Sequence, residues 1–296
     1  MKLVFTRISG LVLLAALAVS CSREEQGIAP ATPTAATVSS DVATRDNNLA
    51  MGNPSGAVTD ATNSPNNYLM SKIQYTLSYS RDKGKPNWVS WHLSRAWLGS
   101  TPRQDNFASD ATLPSTWFRA SSSSYTGSGF DRGHNCPSAD RTGSVADNSA
   151  TFLMTNMMPQ ASVNNQQTWA GLENYARTLV NAGNELYVIC GSYGTGGTGV
   201  NGYATTIASG KITVPSNCWK VIVVLPEGTG DAGRVTTATR VIAINTPNTT
   251  AIGTAWGSYR TSVDAIEAAT GYNILSAVSS SVQSVVEARV DAGPTN

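Results

Sequence analysis

Charge is scarce in this chain. Only 13% of its 296 residues are Asp, Glu, Lys or Arg, about half the usual share of a soluble domain. That excludes a highly charged disordered polypeptide. Basic and acidic residues nearly balance, 20 against 19, so bulk electrostatic attraction is a minor driver of whatever the chain binds. Histidine is scarcer still, with only His92 and His134, and there are four cysteines. So small a stock of soft ligands argues against a structural zinc site. No GxSxG or HExxH motif occurs. No apolar run reaches the roughly 20 residues that a membrane-spanning helix needs.

What is present begins with a leader. Residues 1–21 carry Lys2 and Arg7, then a short apolar stretch ending in Leu17-Ala18-Val19-Ser20-Cys21. This is the pattern of an export signal. Small residues before a lone cysteine match a bacterial lipobox, which would make Cys21 a lipid anchor; the alternative is an ordinary secretory signal cut nearby. Either reading exports the protein, to the cell envelope (outer membrane for a lipoprotein) or to the medium. Without the leader the count is 18 basic against 19 acidic residues.

Residues 22–66 are rich in Ala, Thr, Ser, Pro and Asn, with little apolar periodicity. They read as a flexible tether, followed by one folded domain over 67–292. Alternation of Ile73, Tyr75, Leu77 and Tyr79 predicts a strand. Further strands are expected at 88–93, 151–158, 186–190, 211–214, 219–225 and 240–244. Trp169, Leu172, Ala176 and Leu179 predict a helix over 165–180, and two more are expected near 262–269 and 279–290. Strands and helices do not alternate regularly, which favours an α+β fold with a mainly antiparallel central sheet flanked by helices. Cys190 ends one expected strand and Cys218 begins another, so these two are either a disulfide or two buried thiols. Gly194–Gly199 matches GxGxxG, but no helix pattern follows it and no acidic residue occurs before Glu227. It reads as a flexible loop, not a dinucleotide site.

The segment Asp131-Arg132-Gly133-His134 is different in kind. In an extended segment Arg132 and His134 leave the same face. A neighbouring cation disfavours imidazolium, and neutral imidazole is what a general base requires. His92, by contrast, sits in an apolar strand and reads as structural. Downstream, Asn165 and Glu173 are eight apart, on one face of the expected helix. An amide oxygen with a carboxylate can hold a hard cation such as Mg²⁺, the carboxylate acting through water. Asn165 also suits a helix N-cap.

DRGH at 131–134, followed by Thr155-Asn156 and the spaced Asn165, Trp169 and Glu173, resembles the DNA/RNA non-specific endonucleases of the ββα-metal superfamily. The segments NWVSWHLS (87–94), YTGSGFDRGH (125–134) and LMTNMMPQ (153–160) share that look. The resemblance implies a ββα-metal nuclease fold and hydrolysis of DNA and RNA to 5′-phosphate products, with Mg²⁺ as cofactor and Mn²⁺ able to replace it. It assigns His134 as the general base that activates water and Asn165 as the direct metal ligand. It gives Glu173 the role of orienting the metal's waters and Arg132 that of stabilising phosphate charge. Asn156 would position substrate or His134. An upstream arginine near the phosphate is expected; Arg103 is the candidate, with Arg119 the alternative. Asn164 competes with Asn165, but counting back eight from Glu173, as the family pattern implies, selects Asn165. A rival reading is an inactive envelope lipoprotein that binds nucleic acid or a partner. No motif points to an obligate protein partner.

The charge is also unevenly spread. Residues 72–141 hold 9 basic and 5 acidic residues, and this block contains Arg103, Arg119 and Arg132.

Overall fold

The computed structural model describes residues 44–296. The leader, Cys21 and residues 22–43 of the expected tether lie outside the described residues. In chain order the strands begin with β1 (Tyr68–Ser71), β2 (Thr76–Ser80), β3 (Lys85–Leu93), β4 (Asp131–His134), β5 (Met157–Gln160) and β6 (Asn184–Tyr193). They continue with β7 (Gly197–Gly199), β8 (Gly202–Ala204), β9 (Thr206–Ile207), β10 (Ile212–Thr213), β11 (Asn217–Pro226) and β12 (Arg240–Pro247). The helices are α1 (Val145–Ala150), α2 (Ala170–Asn181), α3 (Asp231–Arg234), α4 (Val263–Thr270) and α5 (Ser280–Val286).

The centre is a six-stranded sheet of order β1-β2-β3-β6-β11-β12, antiparallel at every pairing. Its middle strands are buried on both faces, which is why β6 and β11 read as continuous apolar runs and not as alternating ones. On β6, Leu186, Val188 and Cys190 join one core with Leu172, Tyr175 and Val180 of α2. Tyr187 and Ile189 point the other way, into a core closed by Val263 and Ile266 of α4 and Val286 of α5. The α+β, mainly antiparallel architecture expected from the sequence is the one observed.

Local differences have physical causes. The expected strand 151–158 is instead a 3-10 turn at Met154–Asn156 leading into β5. The turn is held because the Asn156 amide bridges Thr151 O and Cys136 O, each at 2.8 Å. The expected helix over 165–180 opens with a π-turn at Asn164–Trp169 before α2 begins. The GxGxxG segment is no free loop. Gly197–Gly199 pairs with β8, and a Cβ at Gly199 would fall 2.2 Å from the Gly129 carbonyl oxygen.

Cys190 and Cys218 form no disulfide; both thiols are free and buried. Cys190 stands opposite Lys220, and Cys218 opposite Ser192. The two cysteines are thus diagonal neighbours, about 7–8 Å apart in such a ladder, beyond the span of a disulfide.

Residues 44–66, expected to belong to the tether, lie along β3. Asn48 Oδ1 accepts from His92 N at 3.1 Å, and Ser55 Oγ accepts from Trp88 Nε1 at 2.8 Å. Met51 and Ala57 also enter the core, but they follow no helical or strand period, so apolar periodicity does not reveal the docking.

Candidate active site

Strand β4 carries DRGH and pairs with β5 in the register Asp131↔Gln160 to His134↔Met157. Glycine is required at 133 by close approach: a Cβ there would meet Gln160 Oε1 at 2.3 Å. Arg132 and His134 share a face, as expected. The Arg132 guanidinium lies 4.3 Å from the Phe107 ring centroid. His134 meets Phe107 and Phe152 edge-on, with centroids 5.6 and 5.0 Å away. Arg103 sits over Phe152 at 4.8 Å. Two aromatic rings therefore flank the imidazole, and each carries an arginine.

His134 is 9% exposed, and its Nε2 is buried with no hydrogen-bond partner among the described residues. Burial pushes the imidazole pKa down to about 3, with help from the Arg103 and Arg132 charges and against a hydrogen bond to the Arg132 backbone. The ring is neutral at physiological pH. The expected effect of a nearby cation is present, but burial is the larger cause.

Arg103, Phe107, Asp131, Arg132 and Asn165 line one cleft of about 280 Å³. Arg103 is fixed by Asp105 at 2.7 Å and Ser138 Oγ at 3.0 Å. Arg119 is not in this cleft; its Nη2 donates to the carbonyls of Ala111 and Leu113. Geometry thus separates the two candidate arginines.

The π-turn presents Asn165 to the cleft. Its Nδ2 donates to Asp131 Oδ2 at 2.9 Å, and Gln166 Nε2 donates to the same oxygen at 2.8 Å. With Nδ2 committed, Oδ1 of Asn165 is left as the free atom. Asn164 is fully buried and donates to Thr246 Oγ1 at 3.1 Å. An amide oxygen and a carboxylate are the hard donors that Mg²⁺ accepts, so the residues of this cleft fit such an ion.

Glu173 does not line the cleft. Its Oε1 accepts from Lys220 Nζ at 2.9 Å, and burial raises its pKa against the pull of Lys220. Asn156 is fully buried and spent on positioning. Its Oδ1 accepts from Cys136 N at 3.0 Å, and its carbonyl accepts from Asn135 N at 3.0 Å. It holds the chain just after His134 and does not reach the cleft.

Asp131, Phe107, Phe152 and Lys220 have no role among those the family resemblance implies. Asp131 was signalled by its place in the motif. The two phenylalanines reach the imidazole only through tertiary packing, and no local pattern marks them.

The described residues hold two further groups of metal-ligating side chains, Asp46–His92–Glu185 and Asp264–Glu267–Glu287. The first is a closed network. His92 Nδ1 accepts from Asp46 N at 3.1 Å, so Nε2 carries the proton and donates to Glu185 at 2.9 Å. Arg234 also pairs with Glu185.

The family described as DNA/RNA non-specific endonuclease matches residues 53–281. A nuclease of Nostoc sp. is 47% identical over 283 residues, covering 95% of this chain and 97% of that one. Human mitochondrial endonuclease G is 30% identical over 166 residues, 54% of this chain and 56% of its own. Among solved structures, one of a complex between EndoG and EndoGI aligns with a TM-score of 0.61 at 21% identity, over 78% of this chain and 91% of that one. That likeness shows the ββα-metal nuclease fold.

Proposed function

This chain belongs to the DNA/RNA non-specific endonuclease family, a family of nucleic-acid hydrolases, and we propose that it is an exported, Mg²⁺-dependent enzyme cutting both DNA and RNA to 5′-phosphate products. The observation that carries the reading is the orphaned Nε2 of His134, neutral and buried beside two arginines. A buried acceptor without a partner is costly unless function uses it. Here a water aligned with a scissile phosphate is the partner it lacks.

His134 takes a proton from that water as the water's oxygen bonds to phosphorus. The bond from phosphorus to the 3′ oxygen breaks, and that oxygen takes up a proton. No 2′-hydroxyl takes part, so the sugar does not restrict the substrate. Arg103 and Arg132, held over their phenylalanines, offset the charge that builds on the phosphate oxygens. Asn165 Oδ1 would hold the ion, with Glu173 acting through water and Asp131 fixing the amide. Magnesium bound there supplies Lewis-acid stabilisation of phosphate charge. Asn156 keeps His134 in register.

The lipobox reading adds an anchor at Cys21 that would hold the enzyme on the bacterial envelope. The test is cleavage of circular DNA and of RNA by the purified chain. Both should be cut in Mg²⁺ or Mn²⁺ and neither in EDTA; full activity in chelator would remove the metal from the account. Fractionation of cells making the Cys21→Ser chain tests the anchor, which predicts release from membranes.

A further inference from the structure

On the sheet face opposite α2, helices α4 and α5 bring three carboxylates together. Asp264, Glu267 and Glu287 each place an oxygen within 4.8 Å of the others. None of them forms an ion pair among the described residues. Glu287 is only 5% exposed, and its Oε1 is buried with no hydrogen-bond partner. Glu267 Oε1 accepts from Ile274 N at 2.6 Å, and Asp264 N donates to the Glu287 carbonyl at 3.1 Å. The cluster therefore joins α4, the 271–278 segment and the end of α5. Asp264 is the solvent-exposed member and gives an entry path.

From this arrangement the geometry points to a second cation site, formed by Asp264, Glu267 and Glu287 and suited to a hard divalent ion of the Ca²⁺ class, whose role is to fasten the C-terminal helices. Three carboxylates brought together without a cation repel one another. Burial, then the Glu267 and Asp264 charges, push the Glu287 carboxyl up to about 7. Ca²⁺ accepts irregular oxygen shells completed by water, whereas Mg²⁺ demands near-ideal octahedra. The site stands apart from the cleft. Val263, Ile266 and Val286 beside it belong to one core, and Trp169 and Leu172, which follow Asn165, belong to the other. An ion here would clamp a region that also holds the N-terminal segment, where Asn273 N donates to Pro54 O at 2.9 Å and Ala277 N to Met51 O at 3.0 Å.

The test is thermal unfolding of the chelator-treated full chain with added CaCl₂, with MgCl₂ in parallel, for wild type, Glu287→Gln and Asp264→Asn. Saturating Ca²⁺ should raise the wild-type Tm by about 5 °C or more, and Mg²⁺ by less. Glu287→Gln should lose the calcium-specific part of the shift and Asp264→Asn should weaken it, while both cut DNA in Mg²⁺ as wild type does. Asp264 is exposed, so the second variant stays informative should the first fail to fold. An equal shift in wild type and both variants would overturn the site. So would the absence of any calcium shift in wild type, with stability falling as pH rises from 4.5 to 7: that result would show that Glu287 keeps a proton in place of a cation.

Discussion

The two histidines of this chain are both buried, yet they stand in opposite surroundings. His92 uses both ring nitrogens, one accepting from a backbone N–H and the other donating to Glu185. His134 leaves Nε2 bare between two phenylalanine edges, with two arginines just outside. A satisfied ring is worth its hydrogen bonds and nothing more. An unsatisfied one costs stability and keeps a lone pair for chemistry. The polar partners, not burial, separate the structural histidine from the proposed base here.

That contrast can be broken in several ways. The largest effect is expected at His134. His134→Ala should lower the cleavage rate ~10²–10⁴-fold, the range of general-base contributions. Its melting temperature should fall somewhat, because a buried ring packed on Phe107 and Phe152 and its hydrogen bond to the Arg132 backbone are lost, so the rate is taken per folded molecule.

His92→Phe should do the reverse. It leaves Oε2 of the fully buried Glu185 without its partner while Arg234 keeps the other oxygen, and removing one partner of such a buried network costs up to about 3–5 kcal/mol. Urea unfolding would read this, with activity per folded molecule unchanged.

Asp131→Ala should fall between them. It frees the Asn165 amide to rotate, and loss of such a supporting contact typically costs about 10–100-fold in metal affinity or activity. The Mg²⁺ concentration for half-maximal rate should rise.

The smallest effect is in pH dependence. The imidazole pKa of His134 is about 3 in the fold, against 6.5 as the ordinary value. Between those values the unfolded chain binds the proton and the folded chain does not. Stability from this group is therefore complete above about pH 6.5 and declines as pH falls toward 3. His134→Ala should gain on wild type in that window, as melting curves at stepped pH would show.

Much of this was legible in the residues. The apolar runs of β6 and β11 and the DRGH motif are local signals, and the fold and the His134–Arg132 face follow from them. Other features were not, for identifiable reasons. The segment 151–158 has strand-like composition, but the Asn156 side chain ties it into a turn. Asn165 and Glu173 have helical spacing, but Lys220 of β11 takes the carboxylate, and no local pattern marks that contact. The cysteine pair looked well placed until the register set them diagonally. Arg103 and Arg119 are alike in sequence, and only the carbonyls of Ala111 and Leu113 decide which is spent. Phe107 and Phe152 reach His134 solely by long-range packing.

The most direct test compares His134→Gln and His92→Gln side by side, in single-turnover cleavage of a labelled duplex in Mg²⁺. Rates should be taken per folded molecule, with folding checked by circular dichroism. Loss of the base predicts a fall of at least ~100-fold for His134→Gln, against a rate within about twofold of wild type for His92→Gln. Wild-type turnover by folded His134→Gln, or equal losses in both variants, would contradict the assignment of His134 as the base.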